Sequence, residues 1–293
     1  MPFVRAFPRP QFSALERARA RREVGALLRL AAPLILAQLA QNGMNTVDTL
    51  MAGRLGPSAL AGIALGAVMY SIVLVASMGV LFSVAPLVSQ ALGAGDADRA
   101  ARSARQGLWL AVVLSLPGCL LFQKADAVLG WTGQEPHVVT LASGYLKAVS
   151  WGFLPAMLLV AARGFLEGLG DTRPIMVILF AGIGLNIVTN NAFMFGRWGF
   201  PELGLVGTGV ATTLVYTLMT IAILVYVATR HASYRILRGL RRPDPSMIAE
   251  LLRVGWPIGL TLAFEVGLFS VAALLMGRFG EAALAGHQIA LQA

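Results

Sequence analysis

The sequence predicts an all-α polytopic membrane protein: a six-helix transporter lobe followed by the first one to two helices of a parallel repeat. Three observations lead there. Hydrophobic residues make up 57% of the 293 and charged residues only 13%, with a mean hydropathy of +0.73. A soluble domain carries about 25% charged residues, so this chain has too few charges to cover a water-facing surface. The apolar residues gather in long runs, and a bilayer-crossing helix needs about 20 of them. Finally, residues 27–69 align without a gap to residues 251–293, with 15 identities in 43 positions that pair Pro33 with Pro257 and Arg54 with Arg278.

The spans follow in chain order. The first runs over residues 25–53 and contains Pro33, which frees a carbonyl and permits a bend. The second is the uncharged stretch 55–95. No turn cluster divides it, so it reads as one helix bent near Pro86. The third covers 106–122 and the fourth 138–160, the latter carrying Tyr145 and Lys147. The fifth covers 174–196, with Pro174 in its first turn. The sixth covers 205–228 and the seventh 248–277. An eighth begins near Glu281 and reaches about a third of a span by Ala293.

Basic residues set the orientation. With these spans, 18 of the 23 Lys and Arg fall on one side, seven of them in residues 1–29, and 5 on the other. Dividing 55–95 into two spans would spoil that split. The N-terminus therefore reads as cytoplasmic, and no apolar stretch of a signal peptide precedes the first span. The expected organisation is a basic cytoplasmic N-terminus (1–24), a six-helix lobe (25–228), a basic cytoplasmic linker (229–247) and the start of a second lobe (248–293). Six spans separate the two copies of the repeat. An even number returns the chain to the same side, so the lobes are parallel, a duplication typical of secondary transporters.

Enzymatic readings find little support. The single cysteine, Cys119, cannot form an internal disulfide, and His137, His231 and His287 lack metal-ligand spacing. Lys124 and Lys147, the only lysines, sit in no phosphate-binding loop, and no nucleophile-elbow motif occurs. No enzyme activity, cofactor or nucleic-acid partner is expected.

Polar groups inside spans are expensive and mark function. On the first span Gln38, Gln41, Asn45 and Asp48 recur at intervals of 3, 4 and 3, which puts them on one helical stripe. Such a stripe faces either a lumen or a polar seam between helices, and the acid at its end favours the lumen. Glu265 lies eight residues after Pro257 in span seven and aligns with Gln41, so the lobes differ. Asn186 and Asn190 sit one turn apart on span five, as do Thr208 and Thr212 on span six. Each pair suits helix–helix contact as well as a ligand site.

Several segments together resemble the multidrug and toxic compound extrusion (MATE) family, in its NorM-like bacterial branch. They are Thr46-Val47-Asp48-Thr49-Leu50-Met51-Ala52-Gly53, Gln90-Ala91-Leu92-Gly93-Ala94-Gly95-Asp96, Gly168-Leu169-Gly170-Asp171-Thr172-Arg173-Pro174, and Gly204-Leu205-Val206-Gly207-Thr208-Gly209-Val210-Ala211-Thr212. The resemblance implies twelve spans in two lobes and outward movement of amphipathic, often cationic compounds against inward Na⁺ or H⁺. It implies a cation site at Asp48 with Tyr145, Asn186 and Thr208. Asn190 stands where some members have a second Asp, and Glu265 matches a glutamate of the NorM-like branch. Gln38, Gln41, Asn45 and Thr212 are the substrate-path candidates.

The reading is multidrug efflux by alternating access in the bacterial inner membrane. Its partners are small molecules, the bilayer and a C-terminal half, without which the chain is expected not to transport. A lipid or lipid-linked sugar flippase of related architecture is the alternative, along with a membrane-embedded hydrolase and a non-transporting fragment.

Overall fold

A computed structural model describes residues 14–131, 133–236 and 243–277. Among them are nine α-helices: α1 (Ala14–Gly53), α2 (Pro57–Leu81), α3 (Val84–Gly93), α4 (Ala97–Gln123), α5 (Ala125–Gly130), α6 (Pro136–Leu169), α7 (Arg173–Phe193), α8 (Leu205–Arg230) and α9 (Pro245–Gly277). Seven spans are long and apolar enough to cross a membrane, with α2 and α3 forming one, Pro57–Gly93. The chain is a multi-pass helical membrane protein. The expected eighth span and Arg278 lie outside the described residues.

The long second span interrupts at Phe82 and Ser83 rather than at Pro86. Pro86 has no N–H to offer the Phe82 carbonyl four residues earlier, and its ring crowds that carbonyl. The fault therefore appears one turn upstream of the proline. The fourth span runs on past residue 160 to Leu169, because Arg163 and Glu167 neutralise each other at 2.5 Å, one turn apart. Gly170 then closes α6 in the left-handed conformation, φ 76°. The short α5 was not anticipated. Its Asp126 pairs with Lys147 of α6, which holds that carboxyl below the usual range. α1 begins within the basic lead and continues through Pro33 without a break.

The signature segments are mostly turn chemistry. Gly95 (φ 75°) turns the chain, and Asp96 caps α4 by accepting from the Arg99 backbone N–H at 2.8 Å. Pro174 opens α7 at its first turn.

α6 is the central pillar, packed by α2, α3, α4, α5 and α8. Between it and α2 and α4 stands an aromatic cluster of Tyr70, Phe122 and Phe153, with ring centroids 5.2–5.9 Å apart. α1 leans on α7 at the edge of this bundle. α9 lies against α2, where backbone meets backbone. A Cβ on Gly79 would stand 2.2 Å from the Gly259 Cα, and one on Gly255 would stand 2.4 Å from the Val80 carbonyl oxygen. Small residues four apart permit such close approach in membranes.

Candidate functional site

Asp48 is buried although it lies only five residues before the end of α1, about 8 Å by helix rise. Its burial comes from α7 and α8, not from depth in the bilayer. Asn186 and Asn190 of α7 donate from their Nδ2 atoms to Asp48 Oδ1, at 3.0 and 2.6 Å. Thr212 of α8 donates from Oγ1 to Asp48 Oδ2 at 3.3 Å. A carboxylate taken from water needs such donors. Each bond to a charged group contributes about 1.5–3 kcal/mol. The one-turn spacings on α7 and α8 exist to bring these side chains onto the faces that meet α1.

Two oxygens on these helices are buried without a partner among the described residues, Asn190 Oδ1 within the cluster and Thr208 Oγ1 on α8. Thr208 lies one turn before Thr212 on α8 and is fully buried. Spare oxygens beside a carboxylate are the donor set a small hard cation takes.

The α1 stripe continues from Asp48 into a cavity of about 360 Å³, walled by Gln38, Gln41 and Asn45 on one side. Tyr70 and Tyr145 contribute rings from α2 and α6, and Tyr145 makes no hydrogen bond to Asp48. Gly66 leaves the space that the Tyr145 ring fills: a Cβ there would lie 2.7 Å from Tyr145 Cδ1. Gln41 Nε2 donates to the Tyr216 hydroxyl at 2.7 Å.

Three aromatic or charged cavity residues escaped the sequence reading. Tyr216 extends the Thr208–Thr212 stripe by one more turn, a signal that could have found it. Tyr70 carries a buried hydroxyl without a partner among the described residues, and nothing in the spacing of α2 marks it. Arg163 reaches the far end of the cavity while paired with Glu167. Glu265 does not join this cluster. It lies exposed on α9 with no partner among the described residues, ten residues beyond Gly255, which packs against α2.

A multi-pass helical protein with a polar-walled cavity and a buried carboxylate in its wall has the build of a transporter lobe. A family profile described as MatE matches residues 33–191. The chain belongs to the MatE family. It is 42% identical over 273 residues to a Pseudomonas aeruginosa protein named "Probable multidrug resistance protein NorM", covering 92% of this chain and 56% of that relative. The chain thus spans little more than half the length of that relative. Among solved structures, a MATE family transporter of the MOP superfamily in an outward-facing conformation superposes with a TM-score of 0.71 at 26% identity, over 86% of this chain and 54% of the other. A MOP superfamily transporter from Pyrococcus furiosus, described as having a binding pocket of reverse polarity, gives 0.75 at 26% identity, over 91% and 59%.

Proposed function

We propose that the chain acts as the first lobe, with the start of the second, of a multidrug exporter in the bacterial inner membrane, its N-terminus cytoplasmic. Amphipathic, often cationic compounds move outward as Na⁺ or H⁺ moves inward, without covalent chemistry. The observation that carries this reading is Asp48, buried in the cavity wall with three hydrogen-bond donors. Neutralising that acid by a proton or Na⁺ shifts the balance between inward- and outward-facing states. A cationic substrate in the cavity competes for the same negative charge. Tyr145 shapes the cavity, while Asn190 Oδ1 and Thr208 Oγ1 supply oxygens to a bound cation. Gln38, Gln41, Asn45 and Thr212 line the substrate path. Pro33 lets α1 flex as the lobes rock, and Glu265 takes a second cation step once a second lobe surrounds it.

The test is dye movement in liposomes under a Na⁺ or a pH gradient. The chain is used alone and fused to the second lobe of its Pseudomonas relative, with and without Asp48→Asn. Gradient-driven export lost in the variant at equal membrane insertion is expected. Equal export by wild type and variant sinks the coupling role and leaves Asp48 as a polar seam.

Arg163 favours a second reading, transport of an anionic lipid or lipid-linked sugar, since it puts a cation at the cavity's far end. Its pairing with Glu167 argues against a net positive cavity. Arg163→Gln leaving dye export intact supports the drug reading, and its loss alongside lipid scrambling by wild type supports the alternative.

A further inference from the structure

The turn between α6 and α7 and the start of the membrane-spanning part of α1 enclose a second cavity, of about 470 Å³. Arg29 and Arg173 line it together with Leu30, Gly170, Asp171 and Thr172. Neither guanidinium has a hydrogen-bond or ion-pair partner among the described residues. The one acid in the wall is already engaged: Asp171 Oδ2 accepts from the Tyr226 hydroxyl at 2.9 Å and lies 3.0 Å from His231 Nε2. α7 begins at Arg173, so the positive end of its dipole belongs to the same wall. The cavity therefore holds two cations without a partner among the described residues, and a helix N-terminus, against one satisfied carboxylate.

Its level in the membrane fixes the kind of anion. Arg29 stands 24 residues before Gly53, about 36 Å along α1, and α7 starts at Arg173. A hydrocarbon core of about 30 Å puts both arginines at the head-group layer. Below each runs an apolar track. Leu36 follows Arg29 by seven residues, and Val177 and Phe180 follow Arg173 by four and seven, spacings that keep them on the arginine's helical face. All three side chains are exposed, and α1 and α7 pack side by side. Two unpaired guanidiniums above exposed apolar side chains on adjacent helices match a phosphate carrying acyl chains.

We propose that this cavity binds the head group of an anionic phospholipid from the adjoining leaflet, with its acyl chains lying along Leu36, Val177 and Phe180. The site is separate from the Asp48 cavity and does not depend on the transport reading. Arginine serves here because its planar fork takes phosphate oxygens in pairs. Bound lipid would tie α1 to the α6–α7 turn, and a ligand that binds only the folded state raises its stability.

The purified chain, stripped of lipid in neutral detergent, is titrated with phosphatidylglycerol, phosphatidylcholine or inorganic phosphate while its melting temperature is followed. Retained lipids are counted by native mass spectrometry. Phosphatidylglycerol should raise the melting temperature by about 2–4 °C, and the other two should not. Arg29→Gln with Arg173→Gln should abolish the rise and the retained lipid, each single change should weaken both, and Arg197→Gln on the opposite side should alter neither. An equal rise with phosphatidylcholine would show an unspecific detergent-replacement effect and overturn the proposal. So would a rise with inorganic phosphate alone, which would mark a soluble-anion site, or an undiminished response in the double variant.

Discussion

α1 and α9 begin the two copies of one repeat, share their proline and their close of Gly-Arg, yet treat their acids in opposite ways. Asp48 of α1 is buried by α7 and α8, which bring three donors to it. The position aligned with it on α9 is Ala272, and the acid of α9, Glu265, aligns instead with Gln41. Glu265 is exposed, as are Leu260, Phe264 and Leu268 around it. The described contacts of α9 lie in its first half: Gly255 and Gly259 against α2, Glu250 2.6 Å from Arg99, and Ser103 beside Met247. Neighbouring helices, and not the place in the repeat, decide whether an acid in a span is satisfied. A buried carboxylate exists where two other helices have been shaped to receive it.

The largest expected effect is at Asp48. Asparagine there keeps one oxygen for Asn186 and Asn190 and gives an amide that can donate to the Thr212 hydroxyl, so the fold survives while the charge is gone. Drug tolerance of cells carrying the fused lobes should fall to the host's own level, with insertion unchanged. Asp48→Leu should also lower the melting temperature, because it strands two buried asparagine amides. If Asp48→Leu and Glu265→Gln lower the melting temperature of the chain equally, the contrast between the two helices fails.

Next in size is the docking of α9. Gly79→Val forces a side chain into the Gly259 backbone, where a Cβ would already lie 2.2 Å from Cα. Gly259→Ala should be tolerated, since its Cβ meets nothing nearer than 3.5 Å. Overpacking of this kind costs about 1–3 kcal/mol. With Cys119→Ser as background, cysteines in place of Ser103 and Met247 should cross-link readily, far less with Gly79→Val added, and as before with Gly259→Ala. Equal yields in all three would mean that the glycines do not hold α9. A smaller effect belongs to Gln41→Leu, which removes the bond to Tyr216. It should lower the melting temperature by the equivalent of about 1 kcal/mol, against none for the aligned Glu265.

Much of this was legible because helical period carries it. The 3, 4, 3 spacing on α1 and the one-turn pairs on α7 and α8 name the residues around Asp48, since side chains three and four apart must share a face. The seven described spans were legible from hydropathy, with the split of Lys and Arg keeping 55–95 as one. Tyr70 was not, because a lone tyrosine among apolar residues has no period, and Arg163 was not, because the fourth span was ended at residue 160 and left it among the loop charges. The break at Phe82 was displaced by one turn from its cause, because proline acts on the carbonyl four residues before it. The exposure of Glu265 depends on which helices flank α9, and no pattern within the helix encodes that.

The smallest effect should be at Glu265. A charge in a span with no partner among the described residues makes no bond that its removal would break, and it protonates or reaches water instead. Glu265→Gln keeps the side chain's length and removes the charge. With no bond lost, the change falls at the low end of point substitutions, about 0.5 kcal/mol. The melting temperature of the purified chain should therefore stay within about 2 °C of wild type, at low and at high salt alike. The same measurement on Asp48→Leu supplies the contrast, since there a satisfied network is broken. A clear loss of stability in Glu265→Gln would mean that the carboxylate has a partner, and α9 would then treat its acid as α1 does. Were the loss to vanish at high salt, that partner would be a charge across an exposed interface. Salt-independence would instead point to a buried hydrogen bond, and the division between the two copies of the repeat would have to be given up.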